Sequence, residues 1–106
     1  MPELNLELLR KLYDGGYIVW SVHALERLQE RGITKADVLN VLYNGRIIEQ
    51  YPNAFPYPAC LILGTCIKGK LLHVVCGSDG TAIKIITAYF PDNEKFDEKG
   101  ETRKEK

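Results

Sequence analysis

His23, Arg27 and Arg31 recur every four residues in the segment HALERLQER. On a helix, residues four apart point only about 40° from each other, so these three side chains would lie in a line and could converge on one anion. An imidazole takes or gives a proton near neutral pH, whereas guanidinium groups hold phosphate oxygens and stabilise developing charge. The spacing therefore indicates phosphodiester chemistry along one helix edge.

Two acidic residues in the same segment support a plainer interpretation. Glu26 and Glu30 lie beside the basic residues, and surface helices commonly mix such charges without any function. The functional interpretation therefore requires another part of the chain to meet this edge.

His73 is the second histidine and lies within the apolar segment LLHVVC. A lone histidine in such a strand is usually a core residue. Further candidates for a functional site occur in the last β-rich segment. In a nucleic-acid site, Lys84 and Thr87 would contact phosphate, and Tyr89 would act as a proton donor or stack on a base. His73 and Tyr89 are therefore further catalytic candidates beside His23.

The turn at residues 78–80 decides which of these residues share a face of the sheet. A two-residue turn places His73 on the face of Lys84, whereas a three-residue turn places it on the face of Thr87 and Tyr89. The sequence is compatible with both turns.

The preceding hairpin determines what lies over the histidine. If Lys68 and Gly69 form a two-residue turn, Gly64 lies opposite His73 on the neighbouring strand. Because glycine has no side chain, this register predicts open space over the imidazole.

Apolar spacing and capping residues predict three helices in the first half of the chain. Ser21 and Thr34 are suited to cap helix N-termini, and Asp37 is favourably placed in the first turn after Thr34. Gly45 would end the third helix through a left-handed backbone. The predicted helices cover residues 3–13, 21–32 and 34–44.

The remaining apolar segments are β-rich, and the prolines at positions 52, 56 and 58 predict a surface connection between two of them. Residues 17–20 are predicted to form a strand or an extended connector. The predicted strands cover residues 46–51, 59–67, 71–77 and 82–90. We expect an α+β fold, with N-terminal helices packed on one face of an antiparallel sheet of about four strands and the other face partly open.

Length and composition limit the remaining possibilities. With 106 residues, 45% hydrophobic, the chain can form one domain, which we assign to residues 1–91. Residues 92–106 are polar and predict a mobile or partner-ordered tail. The chain has fourteen basic and fourteen acidic residues. The tail holds five of the basic and six of the acidic residues, so the domain has nine basic and eight acidic residues. Any basic surface must therefore come from local clustering.

Several classes of protein are not indicated. No apolar segment approaches a membrane span, and the N-terminus lacks a secretory signal, which favours a cytoplasmic protein. Cys60, Cys66 and Cys76 lie in apolar segments without close CxxC pairing and are expected to be buried thiols. Two distant histidines do not make a metal site, so we expect no metal and no cofactor.

The order of these motifs resembles the DUF4258 family over roughly residues 17–91. The matching segments are HALERLQERGI, Asp37-Val38, NGRII at 44–48, LHVV at 72–75 and IITAY at 85–89. The family is similar to small toxin domains of the RelE and BrnT kind, which place helices against an antiparallel sheet, cleave RNA without a metal and are encoded beside an antitoxin. The resemblance implies that the positions most important for function are His23, Arg27, Arg31, His73, Thr87 and Tyr89.

These observations favour a metal-independent endoribonuclease toxin that binds RNA and a cognate antitoxin protein. A histidine would activate the ribose 2′-hydroxyl, and arginines would stabilise the charge on phosphorus. Two alternatives remain open from the sequence. One is a non-catalytic protein-interaction module, which predicts a buried His73, and the other is RNA binding without cleavage.

Overall fold

The fold is α+β, as expected, and the computed structural model describes residues 3–91. The predicted tail at residues 92–106 lies outside the described residues. The helices are α1 (Leu6–Asp14), α2 (Val22–Glu30) and α3 (Lys35–Asn44). The strands are β1 (Ile18–Trp20), β2 (Arg46–Tyr51), β3 (Ala59–Thr65), β4 (Leu71–Ser78) and β5 (Ile83–Tyr89).

The sheet has one strand more than expected and is mixed rather than purely antiparallel. Its order is β1-β5-β4-β3-β2, and only β1 runs parallel to its neighbour. Ile18 to Trp20 pair with Ile83 to Ile85, and the Ile83 amide also donates to the Tyr17 carbonyl at 2.8 Å. The segment after α1 is therefore a strand rather than a connector, because it meets the free edge of β5.

Capping explains where α2 and α3 begin. Ser21 Oγ accepts a hydrogen bond from the Ala24 amide at 3.0 Å. Thr34 and Asp37 form a reciprocal capping box, in which each side chain accepts from the other's backbone amide. Both N-caps were predicted from the sequence, and both are confirmed.

Gly45 ends α3 for a reason other than the one predicted. Its φ of −83° is not left-handed, so conformational freedom does not require glycine here. A Cβ at this position would lie 2.5 Å from the Val41 carbonyl oxygen and 2.6 Å from that of Leu63. Close approach of two backbone segments is what excludes a side chain.

The helices cover one face of the sheet, and residues along β4 alternate between the two faces. Leu72, Val74 and Cys76 belong to the core cluster that includes Ala24 and Leu28 of α2. His73, although also buried, does not belong to that cluster and lies on the opposite face. All three cysteines are buried and free, as predicted.

The register between β3 and β4 differs from the one expected. His73 lies opposite Leu63, whereas Gly64 lies opposite Leu72. The connection is a longer turn, in which the Cys66 amide donates to the Lys70 carbonyl at 2.8 Å. The prediction of open space over the imidazole is therefore wrong.

The register between β4 and β5 matches neither turn length considered. Ser78 pairs with Ile83 across a four-residue connection, and the pairing shifts at a β-bulge between Val75 and Cys76. Beyond the bulge, His73 lies opposite Tyr89 and Val75 opposite Thr87. Because the bulge adds Ile86 to β5, His73 shares a sheet face with Thr87 and Tyr89.

Candidate functional site

Helix α2 lies beside the part of β5 that β1 leaves unpaired. β1 pairs only with residues 83–85 of β5, so the rest of that strand edge is open to another element. Arg31, the C-cap of α2, donates to the Ala88 carbonyl oxygen at 2.8 Å and to Thr87 Oγ1 at 2.9 Å. The polar edge of α2 is thereby held against β5.

A surface depression of about 310 Å³ lies between α2 and β5. Four of the seven site residues predicted from the sequence line it, together with one residue that was not predicted. The lining residues are His23, Arg27, Arg31, Ile86 and Thr87. Of the two groups expected to meet the α2 edge, the last strand does so through Ile86 and Thr87, whereas His73 does not line the depression.

The packing of α2 accounts for the direction of its polar edge. Ala24 and Leu28 are buried against the sheet, whereas His23 and Arg27 are exposed. In the part of the chain that the structure describes, neither Glu26 nor Glu30 forms an ion pair with the arginines of this edge. These cations are thus not neutralised by acidic neighbours on their own helix.

The two arginines differ in how they are held. Both hydrogen bonds of Arg31 leave from Nη1, so within residues 3–91 its Nε and Nη2 remain available to another acceptor. The side chain of Arg27 forms no hydrogen bond to another residue within the described range. The depression therefore combines one fixed guanidinium, one adaptable guanidinium and an exposed imidazole, which is a suitable set for binding a phosphodiester.

The remaining three predicted residues lie elsewhere. His73 has no exposed surface, and its ring packs edge-on against Tyr89 with the centroids 5.4 Å apart. Lys84 Nζ lies 5.8 Å from the centre of the Tyr57 ring. None of the three lines the depression, so the structure does not bring the two histidines together.

A pair of polar residues that was not predicted from the sequence lies on the sheet face of His73. Tyr51 donates to the Glu49 carboxylate at 2.5 Å, and Glu49 lies opposite Leu61, which in turn lies opposite Val75. Alternation along β2 could not reveal this arrangement, because the register of β2 shifts between Ile47 and Glu49. Only the pairing of β2, β3 and β4 shows that the Glu49 carboxylate lies on the same sheet face as His73.

Residues 3–91 offer neither a metal centre nor a membrane-spanning helix. No group of three or more histidine, cysteine, aspartate or glutamate side chains is arranged to hold a metal ion. None of the described helices is long and apolar enough to cross a membrane.

Comparison with known proteins gives one match. Residues 20–90 match a family model whose description is "Domain of unknown function (DUF4258)". This match covers more than half of the chain and the whole of the depression. Neither the curated proteins nor the solved structures that were searched contain a match.

Proposed function

We propose that this chain, which belongs to the DUF4258 family, is a metal-independent endoribonuclease that acts as the toxin of a type II toxin-antitoxin pair. The observation that carries the proposal is the shared lining of one depression by His23, Arg27, Arg31 and Thr87. The expected similarity of this family to RelE-like and BrnT-like toxins supports RNA as the substrate.

His23 is the general base of the proposed reaction. Its imidazole takes the proton of a ribose 2′-hydroxyl, and the resulting oxygen attacks the adjacent phosphorus atom. The bond from phosphorus to the 5′-oxygen breaks, and that oxygen leaves with a proton from solvent. The products are a 2′,3′-cyclic phosphate and a 5′-hydroxyl end.

The arginines bind the phosphate and stabilise the additional charge on its oxygens. Arg31 is held by its bonds to Thr87 and Ala88, so one of its faces is oriented before RNA binds. Preorganised donors of this kind contribute most to catalysis, because they need not reorient as charge develops. Thr87 acts as a positioning residue for Arg31.

His73 has no chemical step in this proposal, because it is buried and does not line the depression. Together with Tyr89 it packs on the face of the sheet away from the helices. In this role the pair supports β5, the strand that carries Thr87.

The test is incubation of purified protein with single-stranded RNA in the presence of excess chelator, followed by analysis of the product ends. Wild-type protein should yield 2′,3′-cyclic phosphates, and His23→Ala and Arg27→Ala should be strongly impaired. Glu26→Ala is the matched control, because Glu26 is exposed on the same helix but does not line the depression. Absence of cleavage by the wild type on any RNA would contradict the proposal.

A second candidate is RNA binding without cleavage. The observation that favours it is that His73, the second histidine expected to act in catalysis, is buried and does not line the depression, so His23 has no second histidine beside it there. Binding of RNA that weakens with salt and gives no product would support this candidate.

The toxin assignment also implies a location and a partner. An endoribonuclease toxin would meet its substrate in the cytoplasm and would be held inactive there by an antitoxin. Co-expression with the product of the adjacent gene tests this implication, because an antitoxin should abolish RNA cleavage at equimolar concentration.

A further inference from the structure

A second depression, of about 400 Å³, adjoins the first. It lies where the β3–β4 turn meets the start of α3 and the end of β5. Arg31 lines both depressions, so the two form neighbouring parts of one surface. The other lining residues are Gly32, Thr34, Asp37, Cys66, Ile67, Lys68, Lys70 and Phe90.

The charge of this second depression is positive. Arg31, Lys68 and Lys70 are cationic, and Asp37 is the acidic lining residue. The Asp37 carboxylate is already engaged, since it accepts hydrogen bonds from the Thr34 amide at 2.9 Å and the Ile67 amide at 3.0 Å. The lysines therefore remain available for an external anion, although the whole chain has no net charge.

Apolar surface is exposed beside these cations. Ile67 is 64% exposed and Phe90 is 40% exposed, and Lys70 Nζ lies 5.8 Å from the centre of the Phe90 ring. An exposed aromatic ring next to two lysines suits single-stranded nucleic acid, in which a base stacks on the ring while the backbone phosphates meet the cations.

We infer that this second depression binds the nucleotides next to the scissile phosphate of a single-stranded RNA. A base stacks on the Phe90 ring, and the Lys68 and Lys70 side chains bind backbone phosphates. Arg31 lies between this subsite and the cleavage site. This inference rests on the proposed function for the position of the scissile bond. It goes beyond that function by assigning a subsite to the β3–β4 turn.

The experiment measures binding separately from cleavage. A fluorescent single-stranded RNA bearing 2′-O-methyl groups has no attacking hydroxyl, so its affinity can be measured by anisotropy at several salt concentrations. The lysine variants are Lys68→Ala and Lys70→Ala, with Lys11→Ala as the control, because Lys11 lies on α1 and does not line the depression. The aromatic variants are Phe90→Ala and Phe90→Leu, with Phe55→Ala as the control, because Phe55 is 94% exposed on the proline-containing loop.

Each lysine variant should reduce the slope of log affinity against log salt by about 0.7, the value for one phosphate contact to a single strand. Phe90→Ala should weaken binding about tenfold through lost stacking. Phe90→Leu, which keeps an apolar side chain in the fold, should show most of the same loss. Lys11→Ala and Phe55→Ala should bind as the wild type does.

The inference is overturned if the Phe90 and lysine variants bind RNA as tightly as their controls do. The surface would then be a candidate for binding a protein partner. The result is independent of the cleavage assay. A wild type that binds the RNA with these losses but does not cleave any RNA would contradict the proposed function and support the subsite. If the wild type cleaves RNA but these variants bind it normally, the proposed function is supported and the subsite is contradicted.

Discussion

One nitrogen of Arg31 donates to two acceptors on β5, Thr87 Oγ1 at 2.9 Å and the Ala88 carbonyl oxygen at 2.8 Å. These bonds join the end of α2 to a strand that follows 56 residues later in the chain. They hold the guanidinium against the sheet through Nη1, and Arg31 also lines the depression. The geometry of the candidate site thus depends on a long-range contact.

The contact between Arg31 and Thr87 should be measurable as a coupling energy. In a double-mutant cycle of Arg31→Ala and Thr87→Val, followed by urea denaturation, we expect a coupling of about 1 kcal/mol, the usual net value of one hydrogen bond. Arg27→Ala with Thr87→Val is the control cycle and should show no coupling, because no hydrogen bond joins these two residues. Equal coupling in both cycles would contradict the described contact.

Asp37 should stabilise the fold in a pH-dependent manner. Burial alone would raise the pKa of its carboxyl, but hydrogen bonds from Thr34 and Ile67 and the charge of Lys68 lower the pKa below the ordinary 3.8. Because the folded pKa is depressed, the stabilisation is complete above pH 3.8 and is lost as the pH falls through the folded pKa.

Asp37→Asn should therefore reduce the free energy of unfolding at pH 7 by about 1 kcal/mol, the usual value of a capping interaction. The difference from the wild type should shrink below pH 3.8, as measured by urea denaturation across pH. Asp14→Asn, at an exposed position in the last turn of α1, should have little effect at either pH. A deficit for Asp37→Asn that stays constant down to pH 3 would be inconsistent with this role.

Gly45 should not tolerate a side chain. The Cβ of Gly45→Ala would meet two backbone carbonyl oxygens, and these cannot move without separating α3 from β3. We expect a loss of stability of about 2 kcal/mol by thermal or urea denaturation. Gly15→Ala is the control, because its close contact is the ring of Tyr17, which is exposed and free to turn away. If both variants were equally stable, the close approach at Gly45 would be disproved.

The thiols of Cys60 and Cys76 should be unreactive in the folded protein, because neither has exposed surface. Cys60 and Cys76 lie opposite each other with their sulfur atoms 3.9 Å apart, and this contact and burial raise the pKa of Cys76 well above its ordinary value. Because the thiolate is the reactive form, a thiol reagent should label these cysteines only as fast as the protein unfolds. Rapid labelling of either Cys60 or Cys76 under native conditions would contradict this burial.

Local sequence patterns were sufficient to predict most of the elements. The strand at residues 46–51 was predicted with its observed bounds, and the N-caps Ser21 and Thr34 were identified because a hydroxyl before an amphipathic segment has a local function. Family membership was also predicted, since the order of motifs extends over most of the domain.

Features that depend on pairing between distant segments could not be predicted. The parallel strand β1 exists because three residues meet the edge of β5, and no local signal specifies that meeting. The β-bulge at Ile86 likewise places His73 on the face of Thr87 and Tyr89. This is the face expected from a three-residue turn, although the actual connection has four residues. Periodicity also gave no indication that Lys68, Lys70 and Phe90 lie near Arg31, because the β3–β4 turn is held in place by Asp37.

The most direct measurement of the central claim is the single-turnover rate of RNA cleavage by the wild type, His23→Ala and Glu26→Ala, with thermal melting to verify folding. Loss of a general base should slow His23→Ala by about 10²- to 10⁴-fold, whereas Glu26→Ala should remain within about twofold of the wild type, since surface changes seldom matter. A folded His23→Ala variant that cleaves RNA at the wild-type rate would contradict the assignment of His23 as the base.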